Sequence, residues 1–191
     1  AVDDSHATGF IGKKGRGVHE YFNVMDKVDI ITTTFGKALG GATGGCIAAK
    51  KEIVALLKQR ARPYLFSNAL MPAVVSATLK ALDLLGKSTV RRDRLETLTQ
   101  KWREGLSKSG FVLKAGNTPI VPVMLYDAKL AQEFSRELYK EGVFAIGFFY
   151  PVVAKGQARI RTQVSASHEQ KHLDSALAAF IKVGKHLGVL K

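Results

Sequence analysis

The sequence is poor in the features that mark membrane proteins and disulfide-stabilised secreted proteins. Its 191 residues include a single cysteine, Cys46, so no disulfide can form within the chain and a reducing compartment is expected. No apolar run approaches the roughly 20 residues that a bilayer span requires, and no signal or transit peptide is visible. The composition, 46% hydrophobic and 24% charged, is that of a globular domain, because disordered chains lack the apolar residues that offset ordering entropy.

Acidic residues are also scarce. The chain has 16 Asp and Glu and 29 Lys and Arg, so its net charge is +13. A basic surplus of this size raises the question of nucleic-acid binding. The basic residues are nevertheless spread from Lys13 to Lys191, and no alternation of aromatic and basic residues suits base stacking. We therefore expect no nucleic-acid partner. The surplus indicates attraction for small anions, or solvated helix faces.

Hydrophobic periodicity and turn residues divide the chain into alternating strands and helices. The predicted strands cover 28–33, 46–49, 111–114, 120–126, 143–148 and 159–164. The predicted helices cover 51–59, 72–85, 88–109, 128–141 and 169–187, with a break at Arg62–Pro63 after the first. A shift in composition near 86–88 separates two domains, 1–86 and 87–191, and the second is expected to be a small α+β domain with helices on one face of its sheet.

The first candidate site follows an N-terminal strand directly, in the string Asp3-Asp4-Ser5-His6. A carboxylate and an imidazole there would lie at the carboxyl end of a strand, the edge that faces the ligand crevice in open α/β sheets. By itself the string is more typical of a turn, because Asp and Ser commonly cap turns and helices and short motifs often mislead.

The second candidate site is the segment 32–41, TTTFGKALGG, which follows a buried strand. Hydroxyls and glycine N–H groups can hold a phosphate, and a partly desolvated Lys37 could act as an amine nucleophile. The segment is not a P-loop, because Lys37 is followed by Ala38. Phosphate site, reactive lysine and upstream carboxylate together are what a pyridoxal phosphate (PLP) enzyme needs. A flexible surface lysine after a glycine-rich turn is the simpler alternative.

The third candidate site is the last predicted strand, which contains Arg159-Ile160-Arg161. Strand alternation predicts both arginines on one face and Ile160 on the other. A guanidinium is the natural bidentate partner of a carboxylate. A solvated pair on an exposed sheet face is an equally good interpretation of this string alone.

Four blocks of sequence together resemble the α-oxoamine synthase family of PLP-dependent enzymes. They are VDDSHATGFIGKKGRGVHEY, VDIITTTFGKALGGATGG, RPYLFSN and ARIRTQVSASH, in the family's order and at similar spacing, and the likeness covers the whole chain. The resemblance implies a type I aminotransferase-like α/β fold, with part of the large PLP-binding domain in 1–86 and the small C-terminal α+β domain in 87–191. It also implies a homodimer with a shared active site.

The resemblance implies catalytic and cofactor-binding roles for the first two candidate sites. Asp3 matches the aspartate that pairs with the pyridine nitrogen, and His6 matches the histidine that contacts the cofactor's 3-oxygen. Lys37 matches the lysine that bonds to the cofactor's aldehyde, and Thr34 matches a phosphate-binding hydroxyl. Asp4 stands where several relatives have glutamate, with no evident catalytic meaning.

The remaining matches concern the partner subunit and the substrate. Phe66 and Ser67 match positions that reach the phosphate of the partner's cofactor, and Arg161 matches the arginine that holds the amino-acid carboxylate. No metal is implied. The implied reaction condenses glycine with acetyl-CoA to 2-amino-3-oxobutyrate and CoA, as in threonine degradation, in the cytoplasm or, in a eukaryote, the mitochondrion. Because the chain starts at Ala1 inside a strand-like segment, we expect an N-terminal half of the subunit to be missing.

Other interpretations stay open at this point. Synthases that make 5-aminolevulinate, 8-amino-7-oxononanoate or the serine palmitoyl product share the same core motifs. A non-catalytic partner subunit is a different class of answer, against which the presence of Lys37 and Asp3 counts, and a basic nucleic-acid-binding module is a third.

Overall fold

The computed structural model describes residues 1–40 and 43–191, which form two compact units, Ala1–Val90 and Arg91–Lys191. The strands are β1 (Val2–Asp3), β2 (Ile30–Thr34), β3 (Gly45–Ala49), β4 (Ile120–Tyr126), β5 (Ile146–Phe148) and β6 (Ala158–Gln163). The helices are α1 (Val18–Tyr21), α2 (Lys51–Arg60), α3 (Arg62–Phe66), α4 (Pro72–Lys87), α5 (Val90–Lys108), α6 (Ala128–Lys140) and α7 (Gln170–His186). A short 3-10 helix covers Met25–Lys27.

The sheet of the first unit has the strand order β1-β2-β3. Strands β1 and β2 are parallel, with Asp3 opposite Thr32, and β3 returns antiparallel along the other side of β2. Parallel strands end at the same edge of a sheet. The chain that leaves β1 after Asp3 and the chain that leaves β2 after Thr34 therefore start at neighbouring points on that edge.

The predicted break near Arg62–Pro63 is confirmed. Helix α2 ends at Arg60, and Ala61 is extended, with ψ at 106°. A separate short helix, α3, then begins at Arg62. Pro63 is tolerated in its first turn because N–H groups in the first turn of a helix have no intrahelical partner to lose.

The second unit contains a three-stranded antiparallel sheet in the order β4-β6-β5. Val121, Val123 and Ile160 of β4 and β6 are fully buried. Buried and half-exposed residues alternate along most of β6, whereas Val123, Met124 and Leu125 of β4 are buried in succession. Helices α5, α6 and α7 bury side chains in the same cluster as these strand residues, which confirms the α+β arrangement with helices on one face.

Aromatic rings form the centre of this core. Phe180 of α7 contacts Trp102 of α5, Phe134 of α6 and Phe111, at ring-centroid distances of 5.5–5.9 Å. The Trp102 N–H donates to the Thr162 hydroxyl at 2.9 Å, which in turn donates to the backbone carbonyl of a neighbouring strand. The indole is therefore buried without an unpaired donor.

Two predicted strands are shorter than the pattern suggests. The segment 111–114 pairs only through a single bridge between Leu113 and Val123. The strand predicted over 143–148 begins at Ile146, because the Val143 N–H donates to Leu138 and so finishes helix α6. Apolar residues that cap a helix and those that enter a strand have the same local composition, so periodicity does not separate them.

None of the helices in the described part of the chain combines the length and hydrophobicity of a membrane span.

Candidate active site

Asp3 lies exposed at the carboxyl end of β1, at the edge where β2 also ends. The Ser5 hydroxyl and the Ser5 N–H both donate to its Oδ1, at 2.5 and 3.0 Å. These two bonds lower the pKa of Asp3 below its usual value. Desolvation opposes them, and smaller effects of the Thr32 side chain and the positive charge of Lys37 lower the pKa further. Asp3 is therefore held as an anion close to Lys37.

Asp4, next in the chain, is buried with 1% of its surface exposed. Its carboxylate accepts the Val18 N–H at 2.8 Å and the Thr8 hydroxyl at 2.6 Å. The Thr33 hydroxyl of β2 donates to the same Thr8 oxygen at 2.9 Å. Asp4 therefore joins the loop after β1 to the start of α1 and to β2, and it fixes the direction in which Asp3 leaves the sheet.

Sequence reasoning gave Asp4 no role, so this positioning residue was missed. A usable signal exists in the spacing: Asp4 and Thr8 are four residues apart, the reach of a side-chain hydrogen bond within one turn. A second signal is Gly17, which has a φ of +108° and no space for a Cβ, because that atom would overlap the Asp4 carboxylate.

The segment that contains Lys37 leaves β2 as a tight loop. The Thr34 hydroxyl donates to the Gly44 carbonyl and accepts the Gly36 N–H, both at 3.2 Å. Phe35 and Leu39 are buried on either side of Lys37, whose side chain is exposed. The loop is thus anchored by apolar contacts and presents its lysine outward, so the described residues do not by themselves desolvate the amine. Gly41, part of the predicted phosphate loop, lies outside the described residues.

The loops after β1 and β2 pack against each other. A Cβ built on Gly9 would lie 3.4 Å from the Ala38 Cβ and 3.5 Å from a Leu39 methyl carbon. Gly9 also has a φ of +99°, which L-residues rarely adopt. The structure therefore brings the first two candidate sites, Asp3 and Lys37, together at one sheet edge.

The other predicted residues of the first unit are on its surface. His6 is exposed in the turn after Asp3. Phe66 ends α3 with 78% of its surface exposed, and the Arg62 guanidinium lies 5.7 Å from its ring centroid. Ser67 is also exposed, and its N–H closes α3 by donating to the Pro63 carbonyl. These side chains are accessible to another molecule.

Arg161 belongs to the second unit, on the central strand β6. The predicted alternation is confirmed: Arg159 and Arg161 are half-exposed on one face, and Ile160 between them is fully buried on the other. The Arg161 guanidinium lies 5.4 Å from the Phe148 ring centroid, within cation–π distance. Packing against this ring restricts the guanidinium while leaving its fork free for a carboxylate.

The turn after β6 is held by two histidines that accept backbone hydrogen bonds. His168 Nδ1 accepts the Ser165 N–H at 3.2 Å, and His172 Nδ1 accepts the Glu169 N–H at 3.0 Å. An imidazole can accept at Nδ1 only when neutral. Burial lowers the pKa of His168, and electrostatic repulsion from the neighbouring His172 ring, when that ring is protonated, lowers it further.

The donor set suits pyridoxal phosphate. An ionised carboxylate can pair with the pyridine nitrogen, and an amine can bond to the aldehyde. The Thr34 hydroxyl can donate to a phosphate if it gives up its bond to the Gly44 carbonyl. Among residues 1–40 and 43–191, no group of three or more His, Cys, Asp or Glu side chains is placed to hold a metal ion.

The chain belongs to the class I and II aminotransferase family, whose sequence pattern matches residues 1–180. It is 57% identical over 99% of its length to 2-amino-3-ketobutyrate coenzyme A ligase of Escherichia coli K12, of which it covers 48%. The human mitochondrial protein of the same name is 50% identical, with 45% covered. An 8-amino-7-oxononanoate synthase of Thermosipho melanesiensis is 49% identical, with 48% covered. The chain spans about half the length of the curated relatives it matches.

Solved structures have the same fold. A serine palmitoyltransferase from S. paucimobilis with a bound PLP–myriocin aldimine superposes with a TM-score of 0.93 at 28% identity, over 99% of this chain and 48% of that one. An 8-amino-7-oxononanoate synthase from Francisella tularensis gives a TM-score of 0.83 at 28% identity, over 97% of this chain and 54% of that one. The expected type I aminotransferase-like α/β fold is thereby confirmed.

Replacing Gly17 by alanine should disrupt the Asp4 anchor. The new Cβ would overlap the Asp4 carboxylate, so either the Val18 or the Thr8 bond must break. We expect the free energy of unfolding to fall by at least about 2 kcal/mol more than in Gly188→Ala. Gly188 also has a positive φ, +69°, but no described atom within 4 Å of its Cβ position. Equal losses in chemical denaturation would contradict the anchoring role.

The His168 contacts predict a pH-dependent stability. Since the folded-state pKa of His168 is below its ordinary value of 6.5, the unfolded chain binds more protons between the two pKa values. The stabilising contribution of neutral His168 is complete above pH 6.5. The free energy of unfolding should therefore fall as the pH drops from 6.5 through the folded-state pKa. His168→Asn keeps an acceptor for the Ser165 N–H but does not titrate. In this variant the free energy of unfolding, measured by chemical denaturation, should change less between pH 7 and pH 5 than in the wild type. The same pH dependence in both proteins would refute the role assigned to His168.

Proposed function

We propose that these residues contribute the C-terminal half of a PLP-dependent acyltransferase that condenses glycine with acetyl-CoA. The products are 2-amino-3-oxobutyrate and CoA, and the reaction is reversible and serves threonine degradation. The observation that carries the proposal is the packing of the Asp3 and Lys37 loops at one sheet edge, in a chain 57% identical to an enzyme named for this product.

The proposed roles follow from charge and position. When bound, the cofactor's electron-accepting ring would stabilise the negative charge left when glycine loses a Cα proton. Asp3, kept ionised by Ser5, would hold the pyridine nitrogen protonated. Lys37 would hold the cofactor through its aldehyde carbon and, once the glycine amine displaces it, would be free to take the Cα proton. His6 would contact the 3-oxygen, and Thr34 the phosphate.

The condensation forms one carbon–carbon bond and breaks one carbon–sulfur bond. The glycine Cα forms a bond to the acetyl carbonyl carbon, the carbon–sulfur bond of the thioester breaks, and the CoA thiolate leaves. Arg161 would bind the glycine carboxylate through its guanidinium fork, beside Phe148. Lys37 is exposed in this unit, so exclusion of water from its amine requires contacts beyond the described residues.

We further propose a homodimer with a shared active site, in which the exposed Phe66 and Ser67 reach the phosphate of the partner's cofactor. Their exposure beside a fixed helix end supports this. In this proposal 1–86 belongs to the large PLP-binding domain and 87–191 is the small domain. The protein would act in the cytoplasm or, in a eukaryote, the mitochondrion.

A second candidate function is 8-amino-7-oxononanoate synthesis, because that relative is 49% identical, close to the 50% of the human ligase. The two differ in amino acid and acyl chain. The full-length protein should release CoA from acetyl-CoA with glycine faster than from longer acyl-CoAs or with alanine, as followed by thiol titration. Preference for a longer thioester with alanine would favour the second candidate.

Lys37→Ala should remove the covalent link to the cofactor while leaving the surrounding loop intact, because Phe35 and Leu39 anchor it. The purified full-length variant should lack the visible absorbance band that PLP gains on bonding to a lysine amine. Lys51→Ala, an exposed lysine on α2, is the matched control and should keep the band. An unchanged spectrum in Lys37→Ala would contradict the proposal that Lys37 bonds to the cofactor.

A further inference from the structure

The segment Gly12–Gly17, GKKGRG, takes no part in the functions proposed above. Its three cationic side chains, Lys13, Lys14 and Arg16, are all exposed. None of them forms an ion pair or side-chain hydrogen bond with another described residue. Three cations within four residues exceed the negative charge of the adjacent Glu20 carboxylate, so a net positive potential remains that attracts phosphate groups.

The backbone of this segment is firmly held. The Glu20 carboxylate accepts the Lys14 N–H at 3.1 Å and the Arg16 N–H at 3.0 Å. The Gly9 N–H donates to the Gly15 carbonyl at 2.8 Å, which ties the segment to the loop after β1. Because Glu20 is occupied by backbone groups, its charge fixes the loop in place and leaves the three side chains free to bind.

Two exposed aromatic residues follow these cations closely in the chain. Tyr21 and Phe22 follow Glu20 and are 52% and 68% exposed, with ring centroids 5.0 Å apart in an edge-to-face pair. An exposed aromatic face next to basic side chains is the combination that binds a base by stacking and its phosphates by charge. We call residues 12–22 the basic–aromatic loop.

The loop is fixed to the candidate active site. The Val18 N–H, within the loop, donates to the buried Asp4 carboxylate, and Asp4 follows Asp3 directly. CoA carries its adenine and three phosphates at the far end of a long pantetheine arm. A subsite for that end therefore belongs near the edge that contains Asp3 and Lys37, but outside it.

We infer that the basic–aromatic loop binds the 3′-phosphoadenosine diphosphate end of the acyl-CoA. Lys13, Lys14 and Arg16 contact the phosphates, and the rings of Tyr21 and Phe22 contact the adenine. This inference rests on the proposed function, since it takes the thioester to be the second substrate.

The test compares substrates with and without the nucleotide. In the full-length holoenzyme, the triple variant Lys13→Gln/Lys14→Gln/Arg16→Gln should raise the KM for acetyl-CoA about tenfold, the size expected for three exposed charge contacts. The KM for S-acetyl-pantetheine, which lacks the nucleotide, should not change. The control is Lys51→Gln/Lys58→Gln/Arg60→Gln, which removes the same charge from the exposed side of α2 and should leave both KM values unchanged.

A direct binding measurement makes the test independent of turnover. Adenosine 3′,5′-bisphosphate should bind the wild-type holoenzyme by calorimetry, about tenfold more weakly in the loop triple variant, and more weakly in Phe22→Ser. Inorganic phosphate should compete with the bisphosphate. Its affinity should fall in the loop triple variant but should be the same in Phe22→Ser as in the wild type. Circular dichroism melting curves identify any variant that does not fold, and Lys13→Gln alone then replaces the triple.

The outcomes separate the two proposals. If glycine plus either thioester releases no thiol, the proposed function fails, while the nucleotide titration still decides the loop. If acetyl-CoA turns over and its KM is the same in the loop and control variants, the inference about the loop is overturned. Equal affinity for the bisphosphate and inorganic phosphate would also overturn it, because it would indicate a simple anion site.

Discussion

The first unit depends on one buried carboxylate. Asp4 accepts the Val18 N–H and the Thr8 hydroxyl, and Thr8 in turn bonds to Thr33 of β2. A buried charge is tolerated only when its oxygens are paired, so these contacts must form together. Their consequence is that the loop after β1, the start of α1 and strand β2 have a fixed relation. Asp3, the exposed residue that precedes Asp4, is therefore held in a fixed position relative to these elements.

In this arrangement, the residues that make the site rigid are different from the residues proposed to carry its chemistry. Asp3 and Lys37 are exposed, whereas the residues that position them, Asp4, Phe35 and Leu39, are buried. An exposed carboxylate and amine can reach a cofactor, and their buried neighbours restrict where they point. The second unit follows the same rule, since the half-exposed Arg161 lies beside Phe148 on a strand whose opposite face is packed into an aromatic core.

Much of the fold was predictable because its elements have strong periodic patterns. The helices α2, α5, α6 and α7 lie within two or three residues of their predicted bounds, and the paired arginines of β6 share the predicted face. The segments 111–114 and 143–145 were wrongly predicted as full strands. Hydrogen bonds that finish the preceding helix decide where strand pairing starts, and no pattern of apolar residues reveals these bonds. Asp3 and Lys37 were predicted as site residues from residue type and order, and the structure brings their loops together. Asp4 was missed because its partners are contributed by separate segments of the chain.

Residue types and their order by themselves determined the family and the set of chemical groups, since carboxylate, imidazole, lysine and arginine occur in motifs that specify a PLP chemistry. Only the tertiary structure decided which of these groups are exposed and which are buried, and that Asp3 comes within electrostatic reach of Lys37. The reason is physical. A residue's identity sets what it can do, but its burial and its hydrogen-bond partners depend on β1 and β2 lying side by side. Val2 lies opposite Ile31 and Asp3 opposite Thr32, although the residues of each pair are 29 positions apart in sequence.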